Sequence, residues 1–119
     1  MDQNYSETIK QHYRHPLNAG RLSHPTHTAE AINPLCGDET KVYLQIEDGI
    51  IKNIRHETRG CMICVAAASV VSEYARDKKL SRIKNFGTEK ISALLDVAIS
   101  PTRERCALLI ASAINSASV

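Results

Sequence analysis

The sequence predicts an α+β fold: a small antiparallel three-stranded sheet with helices packed on it. Alternating apolar positions typical of strands fall early, around residues 41–59. Helical spacing and an alanine-rich stretch fill the chain from Met62 onward. Strands early and helices late argue for a layer of helices on an antiparallel sheet rather than alternating βαβ units. The length of 119 residues allows one domain, 1–119, with one core. Apolar residues make up 43%, enough to bury a core without staples. Trp is absent and Phe86 is the only Phe, so that core must be aliphatic.

Residues 2–14 read as a short helix, with Tyr5, Ile9 and Tyr13 four apart on one face. His15-Pro16 ends it, because the residue before proline avoids the helical region. Residues 16–35 carry Gly20, Pro25 and Pro34 and read as a long irregular loop, with a third strand available within 28–35. Val42, Leu44 and Ile46 alternate with polar neighbours. Asp48-Gly49 is a two-residue hairpin turn, and Ile51 and Ile54 begin the return strand. Residues 62–75 form a helix without Gly or Pro, and Leu80 to Phe86 a short helix or turn. Thr88 is placed to cap a helix carrying Ile91, Leu94 and Leu95. Ser100-Pro101 offers an N-cap and first-turn proline to a last helix carrying Cys106, Leu109, Ile110, Ala113 and Ile114.

Fifteen basic and thirteen acidic residues leave a net charge of +2, too balanced to suggest a nucleic-acid partner. No apolar run approaches membrane-spanning length, so no membrane role is expected. The N-terminal stretch is polar, includes Asp2 and Glu7, and lacks a signal-peptide core, which makes the cytoplasm the expected location. Four cysteines in a reducing compartment are more often ligands or nucleophiles than disulfides. The five histidines show no ligand spacing to one another and read mostly as surface or loop residues.

Cys36 sits in the turn "NPLCGDE", Cys61 at a strand-to-helix junction, and Cys106 near the start of the last helix. All three lie at element ends, where loops gather. Three thiolates converging there would suit a soft metal, and Asp38 can turn its carboxylate to the same point. Such a set would close a tetrahedron around zinc, or bind iron with one weaker oxygen ligand. The opposing reading is that free cysteines are small buried hydrophobes. Cys64 fits that second description, since it shares a helical stripe with Ala68, Val71 and Ala75. A helix starting two residues earlier would instead bring Cys64 to the metal or to a sulfur on Cys61. A thioredoxin-like dithiol at Cys61/Cys64 would need a βαβ setting, which the upstream hairpin does not provide.

The segments "YSETIKQHYRHPLNAG" (5–20), "NPLCGD" (33–38), "TRGC" with the small-residue helix after it (58–72), and "SPTRERCALLIASAI" (100–114) resemble the IscU/SufU/NifU-N family of iron–sulfur cluster assembly scaffolds. The resemblance runs in order over nearly the whole chain and implies an IscU/SufE-like fold. It implies a non-enzymatic scaffold on which ferrous iron and sulfur from a cysteine desulfurase become a [2Fe–2S] cluster. That cluster then passes to apo iron–sulfur acceptor proteins. The family's ligand positions fall on Cys36, Asp38, Cys61 and Cys106, and Cys106 becomes the candidate persulfide acceptor. Replacing the aspartate is expected to trap the cluster. Zinc is the expected occupant after aerobic purification, because it takes thiolates tetrahedrally and does not oxidise. Tyr5 falls where the family keeps a tyrosine that contacts partners.

Two departures bear on mechanism. IscU-type members have His immediately before the last ligand cysteine, where this chain has Arg105. A basic residue there is more similar to the SufU branch, favours the thiolate and can pair with Asp38. SufU-type members, however, carry an insertion between the second and third cysteines for which the step from Cys61 to Cys106 leaves no room. The alternative function is therefore a zinc-containing, SufU-like sulfur-transfer partner of a desulfurase. The stretch "ISPTR" (99–103) keeps only the second proline and one basic residue of the Leu-Pro-Pro-Val-Lys motif read by an Hsp70-type chaperone. The resemblance does not carry that partnership over.

Overall fold

The computed structural model describes residues 6–84 and 86–117. Helix α1 is Glu7–Arg14, and Ser6 caps it: its Oγ accepts the Ile9 N–H at 3.2 Å. The same hydroxyl donates to the Leu95 carbonyl at 2.6 Å, tying the start of α1 to a later helix. The helix ends before Pro16 as expected and buries Ile9 completely. Tyr13, expected on the same face, is 43% exposed, and Tyr5 lies outside the described residues.

Strands β1 (His27–Asn33), β2 (Asp38–Glu47) and β3 (Ile50–Arg59) form one antiparallel sheet in the order β1-β2-β3. The anticipated loop over 16–35 is thus shorter, because its last third is strand. Alternation of Ala29 and Ala31 with Thr28, Glu30 and Ile32 in β1 is weak in hydrophobic contrast, and so hard to read beforehand. The β2–β3 hairpin closes on Asp48 and Gly49 at φ 54° and 77°, the left-handed pair that matches the twist of the flanking strands.

One face of this sheet buries Val42, Leu44, Ile51 and Ile54 against helices α2 (Met62–Ala75) and α5 (Glu104–Ser116). Helix α2 also touches α1 and α4 (Thr88–Leu95), which explains why it is apolar on nearly every side. Ala66, Ala67 and Ala68 are fully buried and let these neighbours approach closely. The short α3 (Ser81–Lys84) adds Ile83 to an otherwise aliphatic core, as the composition required. Gly87, not Thr88, occupies the cap of α4. A 3-10 turn, Pro101–Arg103, precedes α5 with Ser100 and Pro101 in the expected positions. No helix among the described residues is long and apolar enough to cross a membrane.

The segment after α1 is held down rather than loose. Asn18, at φ 62°, donates to Ser72 Oγ and Glu73 Oε1, each at 3.1 Å. Leu17 N–H donates to Ser69 Oγ at 2.8 Å. Gly20 N–H and the Asn18 carbonyl bond the backbone of His56 at 2.8 and 2.9 Å, covering the outer edge of β3.

His56 departs from the expectation of a surface histidine, since it is 1% exposed. Its Nε2 lies 2.9 Å from the Leu17 carbonyl, which can only accept, so Nε2 carries the hydrogen. Nδ1 then accepts from Thr58, whose oxygen accepts from Thr40. Burial lowers the His56 pKa below 6.5, partly offset by the Leu17 bond, and burial also lowers that of His12. The unfolded chain therefore takes up these protons first. Stability is complete above about pH 6.5 and falls as pH drops below it, until the folded imidazoles also protonate. We expect the melting temperature to fall on acidification from pH 7 to pH 5, with a shallower slope in His56→Gln. Equal slopes in the two proteins, measured by circular dichroism, would mean that His56 does not couple to folding.

Candidate metal centre

Asn33 and Asp38 face each other across β1 and β2, and four residues, Pro34 to Gly37, turn between them. The Gly37 and Cys36 N–H groups donate to the Asn33 carbonyl at 2.8 and 3.3 Å. This tight turn holds Cys36 out at the tip, exposed beside Leu35. Asp38, the first residue of β2, points inward and is 1% exposed. Gly60 and Cys61 follow β3, and Cys61 is the N-cap residue of α2. Cys106 lies in the first turn of α5 and is fully buried.

The ends of three elements thus meet. The Cys36 sulfur, an Asp38 carboxylate oxygen and the Cys106 sulfur all lie within 4.8 Å of one another. The two sulfurs are 3.9 Å apart. Cys61 does not complete this set. Its sulfur lies near Cys106 and helps raise that thiol, and its backbone N–H donates to Asp38 Oδ1 at 3.1 Å. The four side chains named from sequence are neighbours, but three of them are gathered tightly and the fourth stands to one side.

Asp38 Oδ2 is buried and has no hydrogen-bond partner among the described residues. A carboxylate oxygen left unpaired in an apolar surrounding costs several kcal/mol of desolvation, on the order of 2–7 for a polar group. A cation at this point removes that cost, so the donor set of thiols and one carboxylate fits a soft or borderline metal. Gly60 makes the arrangement possible. Its φ of 153° disfavours side chains, and a Cβ there would overlap the Asp38 carboxylate. Burial pushes the Cys106 thiol well up, helped by the neighbouring Asp38 carboxylate and by the nearby Cys61. The Cys106 thiol holds its proton until a cation displaces it.

Other expectations divide. Cys64 is 2% exposed within the core, with Ala68, Val71 and Ala75 fully buried beside it. Burial pushes its thiol up, followed by the charges of Asp38, Cys61 and Cys36, so it is inert packing. All four cysteines are free thiols, and the antiparallel sheet gives the Cys61/Cys64 pair no thioredoxin setting. Arg105 is exposed and lines a groove with Ile32, Pro34 and Leu108. No ion pair joins it to Asp38 among the described residues: the carboxylate is buried and the arginine exposed. Asn33 and Gly60 were not singled out from sequence, although both flank the motifs that were.

Cys64→Ser buries a hydroxyl and should cost about 1–3 kcal/mol of stability while leaving zinc uptake intact. Cys61→Ser should retain the fold and lose zinc. Gly60→Ala should lose zinc as well, by pushing the Asp38 carboxylate aside. Metal content by mass spectrometry, alongside thermal melts, checks all three, and an empty site in Cys64→Ser would reverse the assignment of the two thiols.

Known proteins resemble this chain over most of its length. The chain is 31% identical over 121 residues to the iron–sulfur cluster assembly scaffold protein IscU of Thermotoga maritima, covering 88% of this chain and 85% of that one. It is 29% identical over 117 residues to the IscU scaffold protein of Haemophilus influenzae, covering 95% and 91%. A crystal structure described as an iron–sulfur cluster assembly scaffold protein for the SUF system, from Fervidobacterium islandicum, superposes with a TM-score of 0.82 at 26% identity, covering 95% of each chain. The N-terminal part of a NifU-like protein from Brucella abortus shares the fold, with a TM-score of 0.80 at 20% identity over 98% of this chain and 92% of that one. The sequence profile of the NifU-like N-terminal domain matches residues 4–119, and this chain belongs to that family.

Proposed function

We propose that the protein is a scaffold on which ferrous iron and desulfurase-derived sulfur are assembled into a [2Fe–2S] cluster, which is then handed to apo iron–sulfur acceptor proteins. The observation that carries this reading is the buried, unpartnered Oδ2 of Asp38 beside the thiols of Cys36 and Cys106. The names of the relatives point the same way. The cluster is cargo here, so the site must grip it and release it. Cys36, Cys61 and Cys106 supply thiolates, the ordinary ligands of iron–sulfur units. Asp38 supplies a harder oxygen that grips iron–sulfur less firmly. Rotation of the half-buried Cys61 side chain completes the set.

Sulfur delivery follows from exposure. Cys36 is the thiol that an incoming desulfurase persulfide meets first, at the tip of the turn. Cys36 thiolate attacks the outer sulfur of that persulfide and expels the desulfurase thiolate. Cys106, buried 3.9 Å behind, then receives the outer sulfur by the same exchange, with Cys36 thiolate leaving. Four free thiols suit a reducing, cytoplasmic compartment.

A second reading keeps zinc in the site and makes the protein a sulfur-transfer partner of the desulfurase. Arg105, the basic residue beside Cys106, favours it. Anaerobic incubation with ferrous iron, cysteine and a desulfurase separates the two. A visible cluster chromophore supports assembly, and desulfurase stimulation that requires bound zinc supports transfer.

Asp38→Ala should slow transfer of the assembled cluster to an apo ferredoxin-type acceptor, since the weakest ligand is gone. Equal or faster transfer would defeat the labile-ligand argument. Chelation should lower the melting temperature of the zinc-loaded protein, because the metal binds the folded site and leaves the buried Asp38 oxygen without a partner when it goes. An unchanged midpoint would show that the site contributes nothing to folding.

A further inference from the structure

We propose that the Asn33 carboxamide is a positioning residue of the metal centre. One side chain braces the Cys36 turn with its oxygen and donates through its Nδ2 to the Cys106 sulfur. The inference rests on the proposed reading that this site binds metal through its thiolates.

Asn33 occupies a position where packing alone would choose an apolar residue. It follows Ala29 and Ala31 on the inward face of β1 and is 4% exposed. A buried amide is costly unless both ends are bonded. Both ends are used. Oδ1 accepts the Leu35 N–H at 3.3 Å, which fixes the first half of the turn that presents Cys36. Nδ2 donates toward Cys106 Sγ at 3.8 Å, a long bond to a large, polarisable acceptor. The Asn33 main-chain carbonyl accepts from Cys36 and Gly37, so the residue holds the turn by backbone and side chain together. Two sulfurs from opposite ends of the sequence are therefore set relative to each other by one group.

An N–H aimed at a thiolate stabilises its charge and lowers the energy of its lone pairs. Hydrogen bonds to ligand sulfurs tune metal–thiolate sites in this way, and losing such an outer partner costs about 10–100-fold in metal affinity. Asn33 thus acts through Cys106 and Cys36 rather than on the cargo itself.

The test is an anaerobic titration of the full chain with cobalt(II), a spectroscopic probe of zinc-type thiolate sites. Asn33→Ser keeps an oxygen for the Leu35 N–H but cannot reach Cys106. Asn33→Asp keeps the shape of the side chain and replaces the donor with an oxygen. We expect Asn33→Ser to melt near the wild-type apo protein, to bind cobalt about 10-fold or more weakly, and to show its thiolate-to-cobalt charge-transfer band at lower energy. The same band shift is expected in Asn33→Asp, which serves if the serine variant does not fold. A wild-type band that both variants reproduce unshifted, with unchanged affinity in Asn33→Ser, overturns the inference and leaves the metal centre standing. Absence of a thiolate band in the wild type removes the proposed metal centre, and this inference falls with it.

Discussion

The buried carboxylate of Asp38 is the constraint around which this protein is arranged. It accepts one hydrogen bond, from Cys61 N–H at 3.1 Å, and its second oxygen is buried without a partner. That bond joins the first residue of β2 to the N-cap of α2, two points far apart in sequence. Pairing of Glu39 with Arg59 in the sheet brings the chain ends within reach, and Gly60 leaves the space the carboxylate needs. Moving any of these would let Asp38 turn to solvent, and the site would lose its only oxygen donor among the gathered side chains.

The rest of the fold supplies rigidity behind this centre. Helix α2 carries Cys61 at its first end and is packed on nearly every side, so the N-cap has little freedom. Buried hydroxyls of Ser69 and Ser72 on that helix are spent on the segment following α1. That segment in turn seals the edge of β3 through His56. A scaffold must open its site to partners without unfolding, and here the exposed, small part is the Cys36 turn. The buried part, with Asp38 and Cys106, is carried by strand and helix.

Gripping and releasing place opposite demands on one set of ligands. Thiolates alone would hold an iron–sulfur unit firmly, and a carboxylate alone would hold it poorly. Mixing them, with a buried carboxylate oxygen that has no partner until a cation arrives, gives a site whose stability depends on its load. Cys36 is exposed and Cys106 is buried, so the two thiols differ in what can reach them.

Much of this was legible in the sequence, because it depends on local rules. The two-residue turn at Asp48-Gly49, the stop at Pro16, the start of α5 after Ser100-Pro101 and the aliphatic core all follow from backbone preference and periodicity. So does the burial of Cys64, which its helical stripe required. The order of motifs around Cys36, Asp38, Cys61 and Cys106 identified the family. What the sequence could not carry were facts that depend on three-dimensional neighbours. β1 has little hydrophobic contrast, so the sequence placed a third strand only somewhere within 28–35, and pairing with β2 fixes its bounds at His27–Asn33. His56 looked like a surface residue until the segment after α1 folded over it. Arg105 immediately precedes Cys106, the sulfur that Asn33 contacts, yet it is exposed while Asp38 is buried. Spacing names the residues that can meet, but distance and burial are settled only when sheet register and helix packing bring the element ends together.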